Sequence, residues 1–303
     1  MVAKMTKFAQ SRQEFLGFAY GFLGILIFSV TLPATKMAIA GGLDPVFVGL
    51  GRGVVAAFFS LTLLIATQQK MPPWRFLPRF AIVVAGVVIG FPILSALAMR
   101  DAPASYGAVI TGLLPLATAM FGAWRAGERP SLQFWIWAVA GSGLVVTYAL
   151  VTGAGTLRLV DLALVGAVAA AGLGYAEGAV LARTFGAWQV ICWSLVLSVP
   201  VLLPITLQHL PPIAGITSGA IGGFLYVSLF SMFLGFFAWY QGLMLGGIAR
   251  VGQLQLFQPF LTIGASALLL GEKLSINTLG FAVGVICCVA LGKKTPIKAV
   301  SIE

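Results

Sequence analysis

The chain has 303 residues, of which 60% are hydrophobic and only 9% are charged, and its mean hydropathy is +1.03. A soluble domain carries roughly 25% charged residues, so this composition excludes an aqueous globular fold. The net charge of +10 would suggest a nucleic-acid partner in a soluble protein. In a membrane protein the distribution of charge reports orientation instead, and we expect no nucleic-acid partner.

Ten hydrophobic runs, separated by short loop signals, predict ten transmembrane helices. A hydrocarbon core about 30 Å thick takes about 20 apolar residues per helix. Stretches such as 81–90 and 261–270 are apolar on every side, which excludes the alternating pattern of a β-barrel. The predicted spans are 15–40, 45–66, 78–98, 103–123, 131–151, 160–183, 188–207, 215–245, 249–270 and 275–292. The expected fold class is an all-α polytopic membrane protein.

Basic residues are distributed unequally between the two sides of these spans. With the N-terminus inside, the inner tails and loops hold thirteen of the 18 Lys and Arg residues, the outer loops three and the spans two. Cytoplasmic loops carry the excess of Lys and Arg in membrane proteins. The pattern therefore predicts cytoplasmic termini and an even number of crossings.

A segment at the end of the fourth span recurs at the end of the ninth, displaced by 144 residues. The repeated positions are Pro115, Thr118, Gly127, Glu128 and Ser131, which match Pro259, Thr262, Gly271, Glu272 and Ser275. Because five crossings per half is an odd number, the second copy is inverted relative to the first. Inverted repeats are typical of secondary transporters. The predicted parts are an N-terminal cytoplasmic tail 1–14, five-helix repeats 15–151 and 160–292, a linker loop 152–159 and a C-terminal cytoplasmic tail 293–303.

With these features the chain resembles the EamA-type exporters of the drug/metabolite transporter superfamily, which have ten helices in two five-helix halves. The resemblance rests on the paired Pro-x11-Gly-Glu-basic elements, on Lys36 ending the first helix and on Arg52 in the second. The chain looks most like bacterial exporters of amino acids and related metabolites, including the aromatic amino-acid exporter. The resemblance implies export of small amphipathic metabolites by alternating access through a central cavity, and a location in a bacterial inner membrane. The family's usual tryptophan is absent near Phe28, and Arg52 has no evident counterpart in the second half.

Two repeat-equivalent prolines and nearby amides are the first candidates for a substrate site. Pro115 and Pro259 lie within predicted helices, where proline leaves the carbonyl four residues earlier, that of Thr111 or Gln255, without its donor. Gln255 and Gln258 share a helix face, at i and i+3. Amides at membrane depth either line a substrate cavity or hydrogen-bond a neighbouring helix, and the sequence leaves both roles open.

Glu177 is the sharpest charged candidate because it falls within the sixth span, between Tyr175 and Gly178. A carboxylate in a transmembrane helix costs on the order of 3 kcal/mol, so it is expected to face the protein interior. There it either carries a proton or contacts a substrate amine, or it forms a structural ion pair or hydrogen bond.

Four other charged residues are expected to have structural roles. For Lys36 and Arg52 we expect snorkelling to an interface or pairing with Asp44 rather than direct contact with substrate. Glu128 and Glu272 lie just before helix starts, where carboxylates satisfy free amides and the positive end of the helix dipole. Capping is the expected role of both.

Aromatic side chains in the helices that the resemblance places around the cavity complete the candidates. They can stack against an aromatic or cationic substrate. Packing in the core or against lipid is an equally open role for each of them. They are Tyr20, Phe28, Tyr106, Tyr175, Trp239 and Tyr240.

The main rival function is a membrane-embedded enzyme acting on a lipid or lipid-linked substrate. Such an enzyme requires a nucleophile with a base, a metal cluster or a pair of carboxylates. The single histidine, His209, falls in a predicted outer loop, and the three cysteines have no CxxC spacing. We therefore expect no catalytic residue, metal or cofactor. A small molecule is the expected substrate, and proton coupling and oligomeric state are left open.

Overall fold

The structure is a computed structural model, and it describes residues 2–126, 129–152, 158–212, 214–273, 275–293 and 297–298. Helices account for most of these residues. Two strands of two residues each, β1 (Arg129–Pro130) and β2 (Ile297–Lys298), pair antiparallel. Arg129 lies opposite Lys298, and Pro130 lies opposite Ile297.

The first five spans consist of α-helices interrupted by shorter π-helical and 3-10 segments. In chain order they are α1 (Val2–Ser29), α2 (Thr31–Ala40), a π-helix (Phe47–Gly51), α3 (Arg52–Ala66), a 3-10 turn (Trp74–Phe76), α4 (Leu77–Val83), a π-helix (Val84–Gly90), α5 (Phe91–Asp101), α6 (Ala104–Thr111), α7 (Leu114–Ala126) and α8 (Leu132–Thr152). The first span thus breaks at Val30, and the fourth breaks between α6 and α7.

The last five spans follow the same plan. They are α9 (Leu159–Phe185), α10 (Ala187–Gln208), α11 (Ser218–Leu225), a π-helix (Tyr226–Leu234), α12 (Gly235–Gly246), α13 (Ile248–Gly252), a 3-10 segment (Gln253–Phe257), α14 (Gln258–Leu270) and α15 (Ile276–Lys293). The ninth span breaks between α13 and α14, as the fourth does between α6 and α7. Pro115 and Pro259 are the second residues of α7 and α14, which confirms the predicted backbone breaks.

Nine stretches of the described chain are long and apolar enough to cross a bilayer. A tenth apolar run, Ile276–Cys288, is shorter, but its helix continues to Lys293 and has 18 residues. Such a helix is about 27 Å long, close to the thickness of the hydrocarbon core. Leu268 and Ile276 are 87% and 85% exposed, as side chains that face lipid are. The predicted ten-helix membrane fold is confirmed.

The duplication is visible in the boundaries of the helices as well as in the sequence. From the third span of the first half onward, equivalent elements begin 144 residues apart. The equivalent starts are Phe91 and Gly235 for α5 and α12, Ala104 and Ile248 for α6 and α13, Leu114 and Gln258 for α7 and α14, and Leu132 and Ile276 for α8 and α15. The two π-helices that precede α5 and α12 also end 144 residues apart, at Gly90 and Leu234. The two halves therefore share their irregularities as well as their helices.

Glycines allow α1 of the first half to touch the backbone of α12 of the second. A Cβ atom added to Gly17 would lie 2.6 Å from the amide nitrogen of Gly246. One added to Gly242 would lie 2.6 Å from the amide nitrogen of Gly21. In lipid, small residues at a helix crossing provide the close packing that hydrophobic burial provides in water. This crossing joins the two halves of the bundle.

Candidate functional site

Irregular helical turns of both halves converge on one cavity. π-Helical turns are frequent at functional sites, and non-helical backbone at membrane depth occurs where it lines a cavity. Arg52 and Phe91 directly follow π-helices, Ser231 lies inside one, and Gln258 directly follows the 3-10 segment of the ninth span. Thr31 directly follows the break in the first span. The walls of the cavity are therefore built where the α-helical pattern is interrupted.

The cavity is enclosed by residues of both halves. Its lining is Phe28, Thr31, Leu32, Arg52, Val87 and Phe91 from the first half and Tyr175, Ser231, Met232, Phe236 and Gln258 from the second. The space that these walls border, including its open side, is about 410 Å³, and the part clear of wall atoms holds about one or two water molecules. A solute much larger than water therefore fits only if the walls move apart.

Arg52 is the only charged residue of this lining, and its side chain is 1% exposed. Its Nε and Nη2 atoms have no hydrogen-bond partner among the described residues. None of the ion pairs in the described part of the chain includes it. Asp44, the expected partner, instead accepts hydrogen bonds from the amides of Val46 and Phe47 at 2.8 and 3.0 Å. The prediction that Arg52 snorkels or pairs with Asp44 is wrong, because its helix directs the guanidinium group into the cavity.

Neutral polar groups flank the guanidinium group. The hydroxyls of Thr31 and Ser231 lie 2.8 Å apart and link α2 to the π-helix of the eighth span. Gln258 is buried at the cavity wall, and its Oε1 has no partner among the described residues. Gln255 instead accepts a hydrogen bond from Thr118 at 3.1 Å, which joins the ninth span to the fourth. The two open roles of the amides thus divide between them: Gln258 lines the cavity, and Gln255 connects helices.

Three aromatic rings form an apolar wall of the cavity. Phe28 lies 5.1 Å from Phe236 and 6.3 Å from Tyr175 between ring centroids, and the planes of Phe28 and Tyr175 are 8° apart. Trp239 packs behind this wall, 6.2 Å from Phe28 and 5.5 Å from Tyr175, and is fully buried. Of the predicted aromatic candidates, Phe28 and Tyr175 line the cavity and Trp239 supports them.

Glu177 lies towards the face of the bundle at which α1 begins, which we call the N-terminal face. Its side chain is fully buried, and its two carboxylate oxygens accept from the Nε atoms of Arg79 and Arg125, the latter at 2.5 Å. These pairs join α4, α7 and α9. Glu177 does not line the cavity, so direct contact with a substrate amine is not supported, and the structural ion pair is the role that the geometry favours.

Several other candidates lie away from the cavity. Tyr106 donates a hydrogen bond to Asp161 near the opposite face, where its ring stacks on Tyr148 with centroids 5.1 Å apart. Tyr240 donates to the carbonyl of Gly174 at 3.1 Å, and Thr111 donates to the carbonyl of Ala108 in its own helix at 3.0 Å.

The remaining candidates are also absent from the cavity wall. Tyr20 is 41% exposed on the outer surface of the bundle. Pro115 and Pro259 break helices but are not part of the lining. The expectation that these residues surround one cavity is wrong because their helices turn them towards neighbouring helices or lipid.

Two of the charged residues with expected structural roles cap helices. Lys36 donates to the carbonyls of Met99 and Arg100, at 2.8 and 3.4 Å, at the carboxyl end of α5, rather than pairing with Asp44. Glu272 accepts from the amides of Ala104 and Ser105 at 2.8 and 3.0 Å.

The prediction that Glu272 caps a helix is confirmed. The helix that it caps is α6 of the other half, however, and not the helix that follows it in the chain. Its repeat equivalent, Glu128, lies outside the described residues, as do most of the predicted linker 152–159 and the C-terminal tail.

Histidine, cysteine and acidic side chains are the groups that a metal-dependent or nucleophilic enzyme would use. Within these ranges, no three His, Cys, Asp or Glu side chains lie close enough together to hold a metal ion. Cys192, Cys287 and Cys288 are free thiols. His209 lies in the loop after α10, with its Nδ1 atom 3.0 Å from the carbonyl oxygen of Ile205.

Sequence reasoning missed Thr31, Ser231 and Phe236 and assigned Arg52 to an interface. Two signals in the sequence bear on Arg52 and Ser231, and none points to Thr31 or Phe236. A cation inside an apolar span, between Gly51 and Gly53, has no route to water if its helix faces the bundle interior. The repeat also pairs Ser231 with Val87, 144 residues earlier, and both line the cavity.

Comparisons with known proteins agree with this architecture. The model of the EamA-like transporter family matches twice, at residues 15–149 and 158–291. The uncharacterized transporter YdeK of Bacillus subtilis (strain 168) is 45% identical over 279 residues, which cover 92% of this chain and 97% of YdeK. A solved crystal structure aligns with a TM-score of 0.65 at 17% identity, over 91% of this chain and 97% of its own, and so has the same fold. The chain therefore belongs to the EamA-like transporter family.

Proposed function

We propose that this transporter exports small amphipathic metabolites, in particular amino acids including aromatic ones, by alternating access through the central cavity. The observation that carries the proposal is the cavity itself, which lies between the two inverted halves and combines one cation, neutral polar groups and an aromatic wall. Midplane sites at the interface of inverted repeats are where secondary transporters bind their substrates. An amino acid offers a carboxylate, an ammonium group and an apolar side chain to these three kinds of surface.

Polar links between the halves at both faces support alternating access. At the N-terminal face, Glu177 of the second half binds Arg79 and Arg125 of the first. At the opposite face, Glu272 of the second half caps α6 of the first, and Tyr106 of the first half binds Asp161 of the second. In the proposed cycle one set breaks while the other stays formed, so the cavity opens to one side at a time.

The proposed setting is a bacterial inner membrane with both termini in the cytoplasm. The excess of Lys and Arg in the loops of the N-terminal face supports this orientation. Residues 15–151 and 160–292 form the two proposed repeats, 1–14 and 293–303 the cytoplasmic tails and 152–159 the linker; α1 already begins at Val2, so the N-terminal tail is continuous with the first span. In this orientation the ion pairs of Glu177 close the cavity on the cytoplasmic side.

Reconstitution into liposomes tests the proposal. The purified protein should accelerate exchange of labelled phenylalanine, tryptophan or leucine across the liposome membrane over protein-free liposomes, and cells that overproduce it should release these amino acids faster. If no solute exchanges while a hydrolytic or transferase activity on lipid appears, the membrane-enzyme alternative replaces the proposal.

The same liposomes test proton coupling through Glu177. An imposed pH gradient should change the exchange rate if a proton moves with the substrate. If the Glu177→Gln protein loses this response, the proton is carried at Glu177; if the response is unchanged, Glu177 has a structural role alone.

A further inference from the structure

We infer that Arg52 is a carboxylate receptor, so that the cavity accepts solutes that carry a carboxylate and no net positive charge. The inference rests on the proposed function, which makes this cavity the substrate site, and it names the chemical class of the substrate. It starts from a physical problem: a buried cation in a membrane protein is unfavourable unless a partner or water compensates it.

No protein partner compensates Arg52 in the described parts of the chain. The cavity lining contains no Asp or Glu, and the Nε and Nη2 atoms of Arg52 are unpartnered although the side chain is 1% exposed. The buried carboxylate of Glu177 is held by two other arginines, and Asp44 caps backbone amides. Because no described residue supplies a negative charge to Arg52, we assign that role to a bound solute.

The chemistry of guanidinium favours a carboxylate as the source of that charge. Its planar fork matches the two oxygens of a carboxylate, which it binds through two parallel hydrogen bonds. A single Arg balances a single negative charge, which fits a monocarboxylate better than a phosphate monoester with about two charges at neutral pH.

The rest of the cavity fits the remainder of such a solute. The unpartnered Oε1 of Gln258 is an acceptor available for an ammonium group or a hydroxyl. Phe28, Tyr175 and Phe236 offer aromatic surface to an apolar side chain. A solute with a free amine and no carboxylate would place two like charges in one dry cavity, and the site rejects it for this reason.

Four solutes with a common phenyl ring separate these contributions. Phenylalanine carries a carboxylate and an amine, 3-phenylpropanoate only the carboxylate, phenylalaninamide only the amine, and phenyl phosphate a phosphate. Isothermal titration of the purified full-length protein in detergent should show binding of the first two. Phenylalaninamide and phenyl phosphate should bind at least tenfold more weakly.

Variants assign this selectivity to Arg52. Arg52→Gln should weaken binding of both carboxylates at least tenfold without weakening phenylalaninamide further, and Arg52→Lys should lose less because it keeps the charge. Arg183→Gln, which removes an exposed arginine at the end of α9, is the matched control and should bind as the unchanged protein does. A second measurement guards against misfolding: phenylalanine should raise the thermal unfolding temperature of the unchanged protein and not that of Arg52→Gln.

The inference is wrong if neither carboxylate binds to the unchanged protein, if phenylalaninamide or phenyl phosphate binds as tightly as phenylalanine, or if Arg52→Gln retains carboxylate binding. These outcomes are distinct from failure of the proposed function. If Arg52→Gln still exchanges amino acids in liposomes, Arg52 is not the carboxylate receptor, but the proposed amino-acid transport stands. If carboxylates bind only when Arg52 is present but no amino acid is exchanged, Arg52 is a carboxylate receptor and the proposed amino-acid transport is wrong.

Discussion

Glu177 and Arg52 are both charged side chains buried in the described part of the bundle, and their surroundings are opposite. Glu177 is 0% exposed and has two arginine partners, Arg79 and Arg125, from two other helices. Arg52 is 1% exposed and has no charged partner among the described residues. Both side chains are thus almost completely removed from the protein surface.

The contrast distinguishes a buried charge that stabilises the fold from one that is available to bind a ligand. A buried charge that has partners holds helices together, and removing a partner leaves an uncompensated charge. A buried charge without a partner destabilises the empty protein, and it remains useful only if a ligand supplies the missing charge. Stability and binding measurements should therefore move in opposite directions at the two sites.

The largest expected effect is at the N-terminal face. Glu177→Gln should lower the free energy of unfolding by roughly 3 kcal/mol, because two guanidinium groups are then left facing each other without a carboxylate. The value is at the low end for a buried pair, since the arginine side chains are 33% and 26% exposed. Denaturant unfolding in mixed lipid and detergent micelles measures it, and a loss below about 1 kcal/mol would contradict the structural role.

The second prediction has the opposite sign. Arg52→Met retains a long unbranched side chain and removes the unpaired charge. The unliganded protein should therefore be stabilised by about 1–2 kcal/mol. The same variant should lose amino-acid exchange in liposomes. Reduced stability in the absence of ligand would mean that Arg52 has a compensating partner, and the contrast with Glu177 would fail.

The third prediction compares two neighbouring amides of the ninth span. Gln258→Leu should weaken phenylalanine binding about fivefold, the loss of roughly 1 kcal/mol from one hydrogen bond in the cavity. Gln255→Leu is the matched variant. It should lower the free energy of unfolding by roughly 1 kcal/mol, because Thr118 loses its acceptor, and it should leave phenylalanine binding unchanged. Equal effects of the two variants on binding would show that the amides do not divide as described.

The smallest expected effect is at an exposed ion pair. Arg100 and Asp101 lie 3.0 Å apart, and their side chains are 62% and 56% exposed. Asp101→Asn should leave the free energy of unfolding nearly unchanged, since water screens such a pair. It is the control for Glu177→Gln in the same unfolding experiment, and a loss comparable to that of Glu177→Gln would show that burial does not distinguish the two pairs.

The sequence predicted the helices better than the cavity that they form. Of the predicted site residues, Phe28, Tyr175 and Gln258 line the cavity, whereas Tyr106 and Gln255 contact neighbouring helices. Helices that are apolar all round have no polar face to indicate which side points inward. Each π-helical turn also adds a residue to its turn and rotates every later side chain, so the facing of Arg52 or Ser231 cannot be read from helical periodicity.

Local composition and internal similarity were enough to predict a membrane protein of ten spans in two inverted halves. The reason is that each segment's own residues determine whether it lies in the bilayer or in water. Which buried charge has a partner depends on how distant segments of the chain pack together, and is visible only in the three-dimensional structure. The arginines that bind Glu177 are 98 and 52 residues away in the chain, and nothing in their local sequence marks them as its partners. The residues around Arg52 are as apolar as those around Glu177. The lack of a charged partner for Arg52 is visible only when the helices around it are in place.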